Sequence, residues 1–168
     1  MERIVVCTLL TIAFVSSLYA TTVRRLSLDD LVGKADAIVV GQVTDSHTDW
    51  TADRKLILTT YNFQVGDRLK GSTPQTIAVT TVGGKIGNTI LHVSGMPEFQ
   101  PGENAILFLE RSGAYTTVVG LNQGKFRIYN GEVSNTISGL TFSDGASGSG
   151  VRMRLDEFKR EIQTRIAR

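Results

Sequence analysis

Apolar positions along the chain fall into four successive patterns: an unbroken run, a helical spacing, a long stretch of alternation, and a second helical spacing. Ile4 to Val15 is the unbroken run, preceded by Arg3 and followed by Ser16, Ser17, Leu18, Tyr19 and Ala20. Charge, apolar stretch and small residues in that order predict a secretory signal peptide over 1–20, cut after Ser17 or Ala20. The alternative is an uncleaved anchor, but Ile4 to Val23 is barely ~20 residues and holds four threonines, marginal for a membrane span. Ser27-Leu28-Asp29-Asp30 then reads as a capping box with Asp in place of Glu. It opens a short helix whose Leu28, Leu31, Val32 and Ala35 share a face, ending near Asp36.

Alternation takes over at Ala37. Ile38 and Val40 point one way, Val39 and Val43 the other, so the strand over 37–44 is expected to be covered on both faces near its start. Gly41 suggests a bend or bulge. Ser46 to Asp53 reads as a polar hairpin tip. Tyr61, Phe63 and Val65 alternate with Thr60, Asn62 and Gln64, a half-buried strand. A turn over 66–74 leads to a strand over 76–82, a glycine-rich turn over 83–88 and a short strand over 89–93. Ser94 to Gly102 is an irregular loop. Ala105 to Leu109 and Tyr115 to Val119 form a hairpin, and Lys125 to Tyr129 meets Glu132 to Asn135 across Asn130-Gly131, a strong hairpin signal. Ser143 to Gly150 is a Ser/Gly-rich connector. Leu155, Phe158, Ile162 and Ile166 line one side of a closing helix.

These elements predict a mostly β protein. The expected architecture is a small antiparallel barrel of the oligonucleotide/oligosaccharide-binding type, or a sandwich, with a short N-terminal and a C-terminal helix. Closure would remove exposed strand edges. The divisions are a signal peptide over 1–20, a β domain over 21–142, the connector over 143–150 and the amphipathic helix over 151–168. A chain of 168 residues suits one domain. The single cysteine, Cys7, lies within the leader, so the mature domain has no disulfide, no thiolate metal site and no cysteine nucleophile.

Net charge of +2 is too small to imply a polyanionic partner. Lys125-Phe126-Arg127-Ile128-Tyr129 interleaves cations with aromatics, yet plain alternation accounts for it, and no nucleic-acid partner is expected. The basic residues of the closing helix suit a helix that docks its apolar stripe and shows charge to water, so no stable membrane insertion is expected once the leader is removed.

Candidate chemistry is sparse. Asp45, His47, Asp49 and Asp53 are the densest set of oxygen and nitrogen ligands, and a hairpin tip could fold them inward around a metal. They lack the glycine and terminal glutamate of a calcium loop, and a solvated tip explains them without a ligand. Gly83-Gly84-Lys85 lacks the spacing of a phosphate loop. His47 and His92 belong to no local nucleophile arrangement. Met96, Pro97 and Phe99 are apolar residues in an irregular loop, where binding residues tend to sit, although they would also serve to plug one end of the barrel. No cofactor is implied.

The segments Leu28-x-x-Leu31, Ala35 to Val43, Val65-x-x-x-Leu69-Lys70-Gly71, Pro97-x-Phe99-x-Pro101-Gly102-Glu103, Leu107-Phe108-Leu109 and Val119-Gly120-Leu121-x-Gln123-Gly124-Lys125-Phe126 together resemble a group of exported bacterial proteins to which no activity is assigned. The opening helix-to-strand portion is also distantly similar to netrin-like domains and tissue inhibitors of metalloproteinases, which implies an oligonucleotide/oligosaccharide-binding-type barrel. The inhibitors place an N-terminal cysteine on the protease zinc, and the mature chain here has no cysteine, so that mechanism does not transfer. The reading is a non-catalytic extracytoplasmic binding module, periplasmic or secreted, with a protein partner favoured over a small ligand. Alternatives are a secreted carboxylate-dependent hydrolase and a metal-binding domain at the Asp45–Asp53 tip.

Overall fold

The computed structural model describes residues 22–137, 139–143 and 150–168. The leader predicted over 1–20, with Cys7, and most of the predicted connector lie outside these residues. Strand β1 (Thr22–Val23) leads to helix α1 (Leu28–Lys34), then β2 (Ala37–Trp50), β3 (Ile57–Lys70), β4 (Thr76–Val82), β5 (Gly84–Ile86) and β6 (Thr89–Leu91). After a long loop come β7 (Asn104–Ser112), β8 (Tyr115–Val118), a 3-10 turn (Leu121–Gly124), β9 (Lys125–Tyr129), β10 (Glu132–Ser134), β11 (Thr141–Phe142), β12 (Arg152–Arg154) and helix α2 (Leu155–Ile166).

The capping box at α1 forms as its sequence dictates. The Ser27 hydroxyl accepts from the Asp30 amide at 3.1 Å, and the Asp30 carboxylate accepts from the Ser27 amide at 3.0 Å. The Ser27 hydroxyl also donates to the Asp30 carboxylate at 2.7 Å; that bond, then the one from the Ser27 amide, and then the Arg24 guanidinium at 2.7 Å, hold the Asp30 carboxyl below its ordinary value.

The main sheet runs β12-β10-β9-β7-β2-β3-β4, with β8 attached to β7. The sheet is open, which corrects the expected barrel. The reason lies in β7, whose edge away from β2 is shared between two strands. Asn104–Leu107 pairs with β9 and Leu109–Ser112 with β8. β8 lies alongside β4 without a ladder between them among the described residues, and β9, β10 and β12 run on outward. The roll starts to close and branches instead.

Branching gives one sheet two cores. The inner face of the roll buries Val39, Val43, Phe63, Val65, Leu107 and Val79, among others. The outer face buries Ile38, Ile106, Phe108, Phe126 and Val133 beneath α1 and α2, which contribute Leu31, Val32, Phe158 and Ile162. Alternation over Ala37–Val40 of β2 and Ala105–Leu109 of β7 therefore sends successive residues into one core and the other, as the double-sided reading of the start of β2 expects. Phe158 packs on Phe126 with ring centroids 4.5 Å apart and planes tilted by 41°. Lys159 bonds Asp67 of β3 at 2.5 Å, and Arg165 reaches Asp29 of α1 at 3.2 Å. A cavity of about 360 Å³ lies in the helix–sheet seam between Leu28, Phe126 and Phe158.

Strand lengths differ from expectation at several places. β2 continues through Ser46 to Trp50, so the hairpin tip is 51–56 rather than Ser46 to Asp53. β3 runs past Gly66 to Lys70, and Gly84–Ile86 is a strand inside the expected turn. Polar residues hid the first extension, because both sides of that ribbon carry Ser, Thr, His and Asp. The bulge at Gly41 is present as a register shift, and a Cβ there would overlap the Gln64 carbonyl.

Candidate functional site

Extending β2 to Trp50 aims Ser46 and Thr48 at the inner face. Thr48 pairs with Thr59 of β3, and Thr59 with Thr81 of β4, so three threonines stand in one row across three strands. The Thr48 and Thr59 hydroxyls are 3.2 Å apart, and Thr59 donates to the Gly83 carbonyl at 2.7 Å. Tyr61 sits one row deeper. Burial pushes its phenol above its ordinary value, while hydrogen bonds to the Phe99 backbone and the Thr81 hydroxyl act against that. These hydroxyls form the floor of a cleft of about 480 Å³ at the open end of the roll.

The walls come from elsewhere in the chain. Gly84, with φ of 137°, lies directly on the Thr48–Thr59 pair, where any Cβ would overlap the Thr59 hydroxyl. It begins the β5–β6 hairpin, which carries Lys85 and the exposed Ile90 as a register pair along one wall. The opposite wall is the 92–101 segment with Met96 and Phe99. His92 Nδ1 and Glu98 Oε1, both exposed, stand 3.7 Å apart at the lip.

One lysine holds that second wall. The Lys125 ammonium lies 2.8 Å from Glu103 Oε1, 4.3 Å from the Phe99 ring centroid, and donates to the Glu98 carbonyl. Glu103 Oε1 lies off the direction of a good hydrogen bond, so the attraction there is chiefly Coulombic. Glu103 Oε2 accepts from the Gln100 amide at 3.0 Å. Phe99 packs edge-on against Tyr61 at 4.8 Å. The Gly102 amide donates to the Val43 carbonyl, and the Val43 amide to Glu103, at 2.8 and 2.9 Å.

The residues singled out in the sequence divide accordingly. Pro97 and Phe99 are buried and Met96 is half-buried; Met96 and Phe99 line the cleft. Asp45, His47 and Asp49 project from the opposite face of β2, away from the cleft. Asp45 accepts from Asn62 at 2.7 Å, and His47 lies 3.9 Å from Asp49. Asp53 is a turn residue, bonded by the Thr51 hydroxyl at 2.7 Å and the Lys55 amide at 3.3 Å, which together hold its carboxyl below the ordinary range. Among the described residues no three His, Cys, Asp or Glu side chains come together in a way that could hold a metal ion. The residues missed were Ser46, Thr48, Thr59, Thr81, Lys85 and Ile90. For Ser46 and Thr48 the signal was the alternation carried through Trp50, which the polar composition masked; the other four come from separate strands and had no local signal.

Among the described residues no helix is long and apolar enough to cross a membrane. No protein-family model, no curated protein and no solved structure matches this chain.

Proposed function

We propose that the chain is a non-catalytic extracytoplasmic binding module, built on an opened roll of the oligonucleotide/oligosaccharide-binding type, that receives a protein partner at the threonine-floored cleft. One observation carries the reading. The β2 segment beyond Val43 and the Met96–Phe99 loop, far apart in sequence, line a single concavity. Its volume of about 480 Å³ falls in the range of a binding pocket, and mixed apolar walls over a few polar groups are what recognition sites use.

Ser46 is exposed and lines the cleft, so Ser46→Trp fills it without disturbing either core. The test is co-purification of the tagged chain, expressed from its complete sequence, with a Ser46→Trp control. A stoichiometric protein that accompanies the wild type and is absent from the variant, at equal melting temperature, is the expected result. A partner retained by the variant would move the binding surface elsewhere, and no partner at all would end the reading.

A further inference from the structure

We infer that the cleft selects an extended polypeptide segment carrying one acidic side chain beside an apolar one, with the carboxylate at Lys85 and the apolar group on Ile90 and Met96. The inference rests on the binding-module reading and names what that site would take. Charge supplies the first argument. Among the described residues no carboxylate lies within ion-pair distance of Lys85, whereas Glu98 on the opposite lip has His92 beside it. An unpaired cation at the mouth of a pocket favours an anionic group, and the gain grows as the group is desolvated.

Placement supplies the second argument. Lys85 and Ile90 are register partners, so their side chains stand as neighbours on one face of the β5–β6 hairpin. Ile90 is 68 % exposed, the most exposed of the large apolar residues among those described. A segment that meets both therefore presents its acidic and apolar groups side by side. Glu98 across the lip repels a second carboxylate, which favours a single acid over an acidic run.

The floor argues against a sugar ring. Thr48 and Thr59 already bond to each other, and Thr59 to the Gly83 carbonyl, so the middle of the floor offers few directed hydrogen bonds to a ligand rich in hydroxyls. An apolar side chain resting on Ile90 and Met96 needs none.

The probe is a random heptapeptide library displayed on phage and selected on the immobilised protein, with Lys85→Glu and Ser46→Trp as comparison targets. The expected outcome is a set of enriched peptides with one Asp or Glu adjoining Leu, Ile or Phe. Synthetic versions should weaken roughly tenfold or more on Lys85→Glu and recover when their acid is exchanged for lysine. Enriched peptides without an acid, indifference to Lys85→Glu, or an empty selection would each overturn the inference. If binding lacks the acid dependence but disappears on Ser46→Trp, the cleft reading stands alone; if Ser46→Trp changes nothing, the cleft reading fails as well.

Discussion

Lys125 does three things at one point: it neutralises Glu103, covers the Phe99 ring and donates to the Glu98 carbonyl. Both charges are withdrawn from water, Lys125 at 14 % and Glu103 at 7 % side-chain exposure. A pair so placed costs more to halve than to remove, because the survivor is left desolvated and uncompensated. Lys125→Met or Glu103→Leu alone should lower unfolding free energy by about 3 kcal/mol, and the double variant should regain most of it. Urea denaturation of the four proteins reads this directly; additive losses would mean that the pair is not coupled. In the structure Phe99, Glu103, Gln123 and Lys125 are mechanical. Gln123, for instance, accepts from the Leu26 amide at 2.8 Å and so ties the segment before α1 to the 3-10 turn. The sequence showed the pattern, but its purpose needed the contacts.

Among the elements, α2 and β2 make a useful contrast. α2 was legible because its spacing places Leu155, Phe158, Ile162 and Ile166 on one stripe, and Phe158 and Ile162 are buried. Each such side chain contributes about 1.5–3 kcal/mol by burial. A chain ending at Arg154 should uncover Phe108 and Phe126 and lose fixed tertiary packing while keeping its strands. Strong binding of a hydrophobic dye with loss of near-ultraviolet dichroism, at near-normal far-ultraviolet dichroism, is the expected signature. An unchanged near-ultraviolet spectrum would mean that the helix is an accessory. β2 was legible only to Thr44. Beyond the third register shift, between Val43 and Asp45, it becomes a ribbon with hydroxyls on the cleft side and Asp45, His47 and Asp49 on the other. A strand that is polar on both faces has the composition of a loop, and only its ladder to β3 separates the two.

Across the whole molecule, carboxylates tie the helical layer to the sheet. Lys159 bonded to Asp67, with Arg68 nearby, holds that carboxyl below the ordinary 3.8, and Ser27 does the same for Asp30. A carboxyl lowered in the folded state binds fewer protons there than in the unfolded chain. Its stabilisation is present above the ordinary value and is lost as pH falls through 3.8 and then the lowered folded-state value. Thermal melts from about pH 6 to about pH 2 should show that loss, and Asp67→Asn should flatten the curve while lowering stability at neutral pH. An acid slope identical in wild type and variant would rule out the Asp67 contact as a source.

The sequence by itself determined the local part of this protein. The capping box, the two helical stripes, the alternation of most strands and the Asn130-Gly131 turn are set by neighbours a few residues apart, where propensity and periodicity act. It also determined that the start of β2, Ile38 to Val40, is covered on both faces. Only the tertiary structure decided that the sheet stays open, because the sharing of the β7 edge between β8 and β9 depends on segments that follow it in the chain. The cleft was decided at the same level. Thr48, Thr59, Thr81 and the Met96–Phe99 loop are ordinary residues in separate segments, and no spacing along the chain encodes their meeting. Their juxtaposition follows from strand register and from the Lys125 anchor, both of which exist only once the chain has folded.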